Sequence, residues 1–277
     1  MVAGRAAAEA ARFAPQVPDD PTAAAFFDVD NTVLRGASLF YVGVGLYRRG
    51  FFGTSDVARM AWAQLQFLLG GENLEQMDEA RSFALTLIQG RSVAEMRQIT
   101  EQAFDDTMAE KVWPGTRRLA QAHLDAGQRV WLVTAAPVEV GTVIAAKLGL
   151  TGAMGTVAEH RDGVYTGRLV GGLLHGEAKA EAVRALAERE GLDLSRCAAY
   201  SDSVNDVPML SLVGDPCAVN PDRPLRAVAR ERGWRIRDYR RQRRTTQVAV
   251  AAGVSAVLGG AAAGAAAWRG RSNAEVS

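Results

Sequence analysis

The chain has 277 residues, of which 48% are hydrophobic and 23% are charged. This composition indicates a folded protein with a sizeable core and excludes a disordered chain. The formal net charge is only +1, so no overall field attracts polyanions and we expect no nucleic-acid partner. Cys197 and Cys217 lack the spacing of a metal site, and reduced thiols in the cytoplasm are expected.

The predicted elements begin after an N-terminal segment. Residues 1–22 are rich in alanine and proline and lack the continuous apolar stretch of a secretory signal, so a flexible tail is expected. Short apolar runs further along the chain are typical of buried parallel strands, with an edge strand at the end. They cover residues 23–27, 129–133, 197–200, 217–219 and 234–236.

Helical patterns lie between these runs. Three of them end at a glycine, which favours a helix C-terminus: Pro114 to Gly127, residues 138–148 before Gly149, and residues 177–190 before Gly191. One hairpin is predicted over residues 157–169, turning at Asp162 and Gly163. The alternation of strands and helices predicts an α/β fold, a doubly wound parallel sheet with right-handed crossovers.

Residues 38–112 carry helical periodicity and no convincing strand, as in the patterns at 57–65, 83–88 and 93–104. We expect an all-helical cap inserted after the first strand. The core would then consist of residues 23–37 and 113–239.

The character of the sequence changes at residue 240. Four arginines within residues 240–244 precede a segment without charged side chains, residues 245–268. Residues 247–268 are long enough for a transmembrane helix, which would keep the arginines on the cytoplasmic side. The segment is mostly alanine and glycine, so a helix lying on the protein or exposed to water is an equal alternative.

Polar residues close three of the apolar runs. In open α/β sheets, ligands bind beyond the carboxyl ends of the strands, so these side chains are expected to converge on one crevice. They are Asp28 and Asp30 after the first run, Thr134 after the second, Asp202 and Asp206 after the third, with Lys179 at the start of the preceding helix.

This combination of side chains predicts metal-assisted phosphoryl chemistry. Four carboxylates in one pocket would raise each other's pKa values unless a cation lay among them. No histidine or cysteine joins them, so an oxygen-binding ion, Mg²⁺, fits best. Thr134 and Lys179 can contact a phosphoryl group from its other side.

Each acidic residue has an expected role. Asp28, at the strand end, is the predicted nucleophile, and Asp30 the acid and base for the leaving oxygen and the attacking water. Asp202 is expected to bind the metal, and Asp206 to hold the metal's water shell or to orient Lys179. Alone, either of the last two aspartates could simply cap a helix; the order of all the motifs is what indicates a site.

Four motifs carry a resemblance to a known family: FFDVDNT (residues 26–32), LVTAAP (132–137), GEAK (176–179) and YSDSVNDVPML (200–210). They resemble the haloacid dehalogenase superfamily of phosphohydrolases over residues 23–239. The helical insert is similar to the cap of its phosphoserine phosphatase-like subgroup, subfamily IB.

The resemblance implies a phosphatase that cleaves small phosphorylated metabolites through an aspartyl-phosphate on Asp28. It implies Mg²⁺ bound by Asp28, the backbone carbonyl of Asp30, and Asp202, and phosphate contacts from Thr134, Lys179 and Asn205. A phosphotransferase using the same intermediate, or a membrane-associated phosphatase acting on a lipid-linked phosphomonoester, remains an alternative.

The sequence departs from that subgroup at positions that bear on the substrate. Ala37 stands where phosphoserine phosphatases carry a glutamate for the substrate's amino group, and Ala135 and Ala136 replace two glycines. Arg81 is only a loose positional candidate for the substrate's carboxylate.

Two other classes of protein compete with this interpretation. A receiver-type signalling module would place its phosphoacceptor after the first acidic pair, whereas here the candidate nucleophile comes first. A catalytically inactive scaffold would be expected to lose Asp28, Asp30 or Lys179, and all three are present.

Overall fold

The computed structural model describes residues 3–6, 20–50 and 88–240. The chain divides into two compact units, residues 1–237 and 238–277, and the fold below belongs to the first. The predicted helix at 57–65, the predicted helix at 83–88 apart from its last residue, Arg81 and the candidate membrane segment 247–268 lie outside the described residues. Within the described residues, no helix has both the length and the apolar character needed to cross a bilayer.

The described residues form eight strands: β1 (Ala24–Phe27), β2 (Arg129–Pro137), β3 (Gly152–Thr156), β4 (Ala158–Arg161), β5 (Val164–Leu169), β6 (Ala198–Ser201), β7 (Asp215–Val219) and β8 (Arg235–Arg237). Six of them form the parallel central sheet, in the order β3-β2-β1-β6-β7-β8, and β4 pairs with β5 as a separate antiparallel hairpin.

Helices connect the strands, which confirms the predicted doubly wound α/β fold. They are α1 (Ser38–Arg48), α2 (Val93–Ala103), α3 (Pro114–Asp125), α4 (Val138–Leu148), α5 (Glu177–Glu190), α6 (Val207–Leu210) and α7 (Arg223–Glu231). A π-helical turn (Phe104–Met108) and a 3₁₀ turn (Ala109–Lys111) lead from α2 toward α3. All four residues of β1 are buried, as expected for a central strand with helices on both faces.

The helix ends match the sequence pattern closely. Helices α4 and α5 begin and end at the predicted residues, and Gly149 and Gly191 terminate them in the left-handed conformation, with φ of 70° and 65°. Glycine adopts this conformation without a steric penalty, which is why it marks helix ends so reliably.

Two features of the sheet differ from the prediction. Strand β2 was expected to end at residue 133 but continues to Pro137, with a register shift against β3. Strand β3 itself was not predicted. Its sequence, GAMGT, is fully buried, and a Cβ atom on Gly155 would lie 2.7 Å from the Cα atom of Val138. Close packing therefore selects small residues here, and these residues carry no strand signal.

The described parts of the predicted cap are helical. Helices α1 and α2 pack together, and the two chain connections to the core run side by side, with a bridge between Leu34 and Val112. The Arg35 amide donates to the Lys111 carbonyl at 2.9 Å. The full extent of the cap, residues 38–112, stays a prediction.

The β4–β5 hairpin turns at Asp162 and Gly163, as predicted, and both have positive φ. Its second strand is bonded to the residues that lead into α2. The Tyr165 amide donates to the Arg91 carbonyl and the Gly90 amide donates to the Tyr165 carbonyl, each at 2.9 Å. The Val93 amide donates to the Gly163 carbonyl at 2.8 Å.

The described ends of the predicted N-terminal tail contact the core. Residues 3–6 are helical, and Gly4 packs closely against Glu181 of α5. At the other end, the Asp193 amide donates to the Thr22 carbonyl at 2.8 Å, and Arg196 pairs with Asp20 at 2.9 Å. Residues 7–19 lie outside the described part of the chain.

Candidate active site

The carboxyl end of β1 is the topological switch point of the sheet, because the chain extends the sheet to both sides from this strand. Open α/β sheets bind their ligands in the crevice that forms outside the strand ends at such a switch point. Asp28 immediately follows β1, and its amide donates to the Tyr200 carbonyl of β6 at 2.9 Å. The backbone of Asp28 is therefore fixed by the sheet.

Lys179 bridges two of the predicted carboxylates. It lies in the first turn of α5, and its Nζ atom is 2.6 Å from Oδ1 of Asp28 and 2.9 Å from Oδ2 of Asp206. The exposed fractions of these side chains are 4% for Lys179, 9% for Asp28 and 2% for Asp206. The structure thus brings together three residues that are separated by up to 178 positions in the sequence.

Burial sets the protonation of this group. Loss of hydration raises the pKa of the Asp28 carboxyl to about 7, although the neighbouring Lys179 ammonium acts in the opposite direction. For Lys179, burial alone would lower the pKa, but the carboxylates of Asp28 and Asp206 outweigh it and the pKa is raised. The ammonium therefore stays charged at neutral pH.

Asp202 lies beside the same cluster, directly after β6. Burial, together with the charges of Asp28 and Asp206, raises the pKa of its carboxyl to about 8. The Thr32 hydroxyl donates to Oδ1 of Asp202 at 3.3 Å, and the Asp222 amide donates to the Asp202 carbonyl at 2.7 Å. Its side chain therefore faces the loop after β1.

Asp30 points toward the cap. Its Oδ1 atom accepts a hydrogen bond of 2.8 Å from the amide of Ser38, the first residue of α1. Burial raises the pKa of the Asp30 carboxyl, and the bonds from Ser38 oppose that shift. This predicted acid and base thus lies between the cluster at Asp28 and the first helix of the cap.

Thr134 and Asn205 are the predicted residues least connected to the cluster. Thr134 is buried within β2, two residues beyond Leu132, which pairs with Phe27 of β1. The Thr134 hydroxyl accepts a hydrogen bond of 3.1 Å from the Ala136 amide. Asn205 is exposed on the turn Val204–Asp206. Within the described residues, neither side chain is hydrogen-bonded to Asp28 or Lys179.

Sequence reasoning missed the residues that hold the cluster in place. The Ser201 hydroxyl donates to Oδ2 of Asp206 at 2.6 Å, inside the protein. Asp222 accepts from the Val204 amide at 3.1 Å and from the Leu225 amide at 2.6 Å, which fixes the loop after β6 to the start of α7. Thr32 and Ser201 lie inside two of the quoted motifs, and the position of Ser201 next to Asp202 was the available signal.

The carboxyl groups of the site could bind Mg²⁺ as part of a shell completed by other ligands. Within the described residues, no three acidic, histidine or cysteine side chains form a metal cluster by themselves. However, Mg²⁺ is commonly held by one or two carboxylates, with waters and a substrate phosphate completing its shell. Asp28 and Asp202 are neighbouring carboxyls whose pKa values are raised chiefly by burial, and the negative charge of Asp206 adds to the shift of both. Together with the Asp30 carbonyl, they would supply only oxygen donors, which is the chemistry that this ion prefers.

A buried Asp-Lys-Asp cluster at the switch point of a doubly wound sheet places the protein among α/β proteins that bind a ligand beyond the carboxyl ends of their strands. Residues 25–211 match the family model described as haloacid dehalogenase-like hydrolase. The chain belongs to this family, and it is a phosphatase of the phosphoserine phosphatase-like kind.

Individual relatives and a solved structure are similar to most of this chain. Phosphoserine phosphatase SerB1 of Mycobacterium tuberculosis is 57% identical over 251 residues, which cover 90% of this chain and 80% of that protein. A histidinol-phosphatase of Neisseria meningitidis serogroup C is 28% identical over 221 residues, covering 78% of this chain and 98% of that protein. A crystal structure of a Bordetella pertussis protein of unknown function matches with a TM-score of 0.69 and 33% identity, covering 78% of this chain and 98% of that one.

Proposed function

We propose that the protein is a Mg²⁺-dependent phosphomonoester hydrolase that forms a covalent aspartyl-phosphate on Asp28. The observation that carries this proposal is the buried pairing of Asp28 with Lys179 at 2.6 Å, at the ligand-binding end of the central strand. A fixed carboxylate beside a cation can attack phosphorus and divide hydrolysis into two easier steps.

Asp28 and Asp30 have different roles in the two steps of the reaction. An Asp28 carboxylate oxygen bonds to phosphorus while the bond to the leaving oxygen breaks, and Asp30 donates a proton to that oxygen. Its raised pKa favours the protonated form that this step needs. Asp30 then takes a proton from the water that cleaves the acyl-phosphate bond, which releases phosphate and restores Asp28.

The remaining site residues bind and orient the phosphoryl group. Lys179, Thr134 and Asn205 are assigned to its oxygens. Asp206, held by Ser201 at 2.6 Å, positions the Lys179 ammonium between the two carboxylates. Mg²⁺, held by Asp28, Asp202 and the Asp30 carbonyl, would supply positive charge to the transferring group.

The names of two relatives indicate a substrate class. Phosphoserine and histidinol phosphate are both phosphate esters of 2-amino alcohols, and relatives named for each are similar to most of this chain. We assign the same class of small phosphomonoester to this protein. Ala37 provides no carboxylate for the ammonium group of such a substrate, so another residue must bind that group. Activity measured on a panel of phosphorylated amino acids, sugars, alcohols and lysolipids would identify the preferred substrate.

The location of the enzyme is part of the proposal. A catalytic domain in the cytoplasm would be anchored by residues 247–268, whose flanking arginines and uncharged length favour a membrane span. An anchored enzyme would have access to lipid-linked phosphomonoesters, which keeps that substrate class as an alternative to a soluble metabolite.

The direct test measures phosphate release from p-nitrophenyl phosphate and from phosphoserine by the purified full chain with Mg²⁺. Asp28→Asn should lower the rate by about 10³-fold or more, as removal of a nucleophile does. Asp105→Asn is a matched control, because Asp105 also lies 2.6 Å from a lysine, Lys147, but on the surface. Hydroxylamine should trap the acyl-phosphate in the wild type only; full activity of Asp28→Asn would disprove the assigned nucleophile.

A further inference from the structure

Positive charge is concentrated in one part of this nearly neutral chain. Residues 223–244 contain ten arginines and only two acidic residues, Glu231 and Asp238, although the net charge of the whole chain is +1. An ordinary solvated surface carries charges of both signs. A segment with so large an excess of one sign indicates a surface that binds a partner of the opposite charge, here an anionic one.

The part of this segment that belongs to the first compact unit, residues 223–237, comprises α7 and the edge strand of the sheet, β8. Helix α7 buries Leu225 and Ala229 against the core. Arg223 and Arg230, both exposed, are seven positions apart and lie two turns from each other along one side of the helix. Strand β8 is the last strand of the sheet, and its final residue, Arg237, is also exposed.

Three of these arginines have no partner within the described residues. Arg235 pairs with Asp215, and Arg232 donates to the Ser211 hydroxyl at 2.8 Å. In contrast, the side chains of Arg223, Arg230 and Arg237 form no ion pair or hydrogen bond with the residues that the structure describes. Their guanidinium groups are therefore available to a ligand. We call these three residues the arginine edge.

We propose that the arginine edge binds the surface of an anionic lipid bilayer. Guanidinium groups form paired hydrogen bonds with phosphate oxygens, and a bilayer offers phosphates across a broad surface. The sequence also continues from Arg237 into the uncharged segment 245–268 within eight residues. The folded domain would thus bind the membrane through the arginine edge, independently of any contact made by residues 245–268.

Single-stranded nucleic acid fits this edge less well. Proteins that bind it combine basic residues with exposed aromatic rings on which bases stack. Trp234, the aromatic residue between α7 and β8, is partly buried, and the guanidinium carbon of Arg232 lies 5.2 Å from its ring centroid. This ring is thus already covered by a side chain of the protein.

The experiment uses the full chain and two kinds of vesicle, pure phosphatidylcholine and an equal mixture with phosphatidylglycerol. The test variant is Arg223→Gln/Arg230→Gln/Arg237→Gln. The control is Arg117→Gln/Arg118→Gln/Arg184→Gln, which removes the same charge from exposed residues of α3 and α5. Hydrolysis of p-nitrophenyl phosphate without vesicles and the thermal midpoint check that both variants fold.

The wild type and the control should co-sediment with the anionic vesicles more than with the neutral ones. The test variant should bind the anionic vesicles more weakly by up to about 10²-fold, because each basic residue near such a surface contributes about a factor of five. Added salt should reduce binding of the wild type, a readout that depends on no variant.

Three outcomes would overturn the proposal. The first is equal binding of the wild type to both vesicles. The second is wild-type binding by the test variant, or by its three single substitutions if the triple variant does not fold. The third is tighter binding of the wild type to a single-stranded oligonucleotide than to anionic vesicles at the same salt concentration, which would assign the edge to nucleic acid.

Discussion

The ammonium of Lys179 lies 2.6 Å from a carboxylate oxygen of Asp28, and both side chains are more than nine-tenths buried. Replacing Lys179 with methionine leaves the carboxylates of Asp28 and Asp206 without their cation in a dry environment. We expect the free energy of unfolding, measured with urea at neutral pH without Mg²⁺, to fall by about 3 kcal/mol. Because Lys179 lowers the pKa of Asp28, Asp28 should bind its proton at a higher pH in the variant, and the loss should shrink as the pH falls toward 7.

Lys147→Met is the matched control for this prediction. Lys147 also lies 2.6 Å from an aspartate, Asp105, but the two side chains are 33% and 60% exposed. Water screens such a pair, so its removal should cost no more than about 1 kcal/mol. Equal losses for the two variants would show that burial does not govern the Lys179 pairing.

Stabilisation by Mg²⁺ should depend on pH. The folded-state pKa values of Asp28 and Asp202 are raised to about 7 and about 8, above the value of about 3.9 for an unfolded chain. Between these limits the metal-free folded state binds more protons than the unfolded state, so its stability at this site decreases as the pH rises. Mg²⁺ competes with those protons and should raise the thermal midpoint more at pH 8 than at pH 6.

Asp202→Asn provides the control for the metal prediction. It removes one proposed ligand while keeping the shape of the side chain, so the shift of the thermal midpoint with Mg²⁺ should be much smaller at both pH values. A shift in the wild type that is the same at pH 6 and pH 8 would contradict the proposed ligands.

The C-terminal segment can be tested separately from the arginine edge. If residues 247–268 span a bilayer, the full chain expressed in bacteria should stay in the membrane fraction after alkaline carbonate extraction. A chain that ends at Tyr239 should be released, because it lacks the uncharged segment but keeps all of α7 and β8. Equal release of the two chains would remove the transmembrane interpretation.

The sequence predicted the parts of the site that depend on strand ends and helix starts. Asp28 after β1 and Lys179 at the start of α5 were expected to converge, and they are in contact. The contacts of Asp30 with Ser38, and of Asp206 with Ser201, could not be predicted in this way. They depend on how the cap helix and the loop after β6 are oriented, and no periodic pattern encodes that orientation.

In the fold, too, some elements were predicted from the sequence and others were missed. Helices α4 and α5 were predicted to the residue because an apolar periodicity and a terminal glycine agree there. Strand β3 was missed because tight packing against α4 requires glycine and alanine, which have low strand propensity. Tertiary packing, absent from a local pattern, decided the structure of this segment.

The hairpin of β4 and β5 has a mechanical consequence for the cap. Three main-chain hydrogen bonds attach it to Gly90, Arg91 and Val93, where α2 begins, whereas the other connection to the predicted cap runs through residues 34–37. A swing of α2 away from the sheet must therefore either break these bonds or carry the hairpin along. The hairpin thus restrains α2, and while these bonds stay intact, residues 158–169, far downstream of α2, must move together with it.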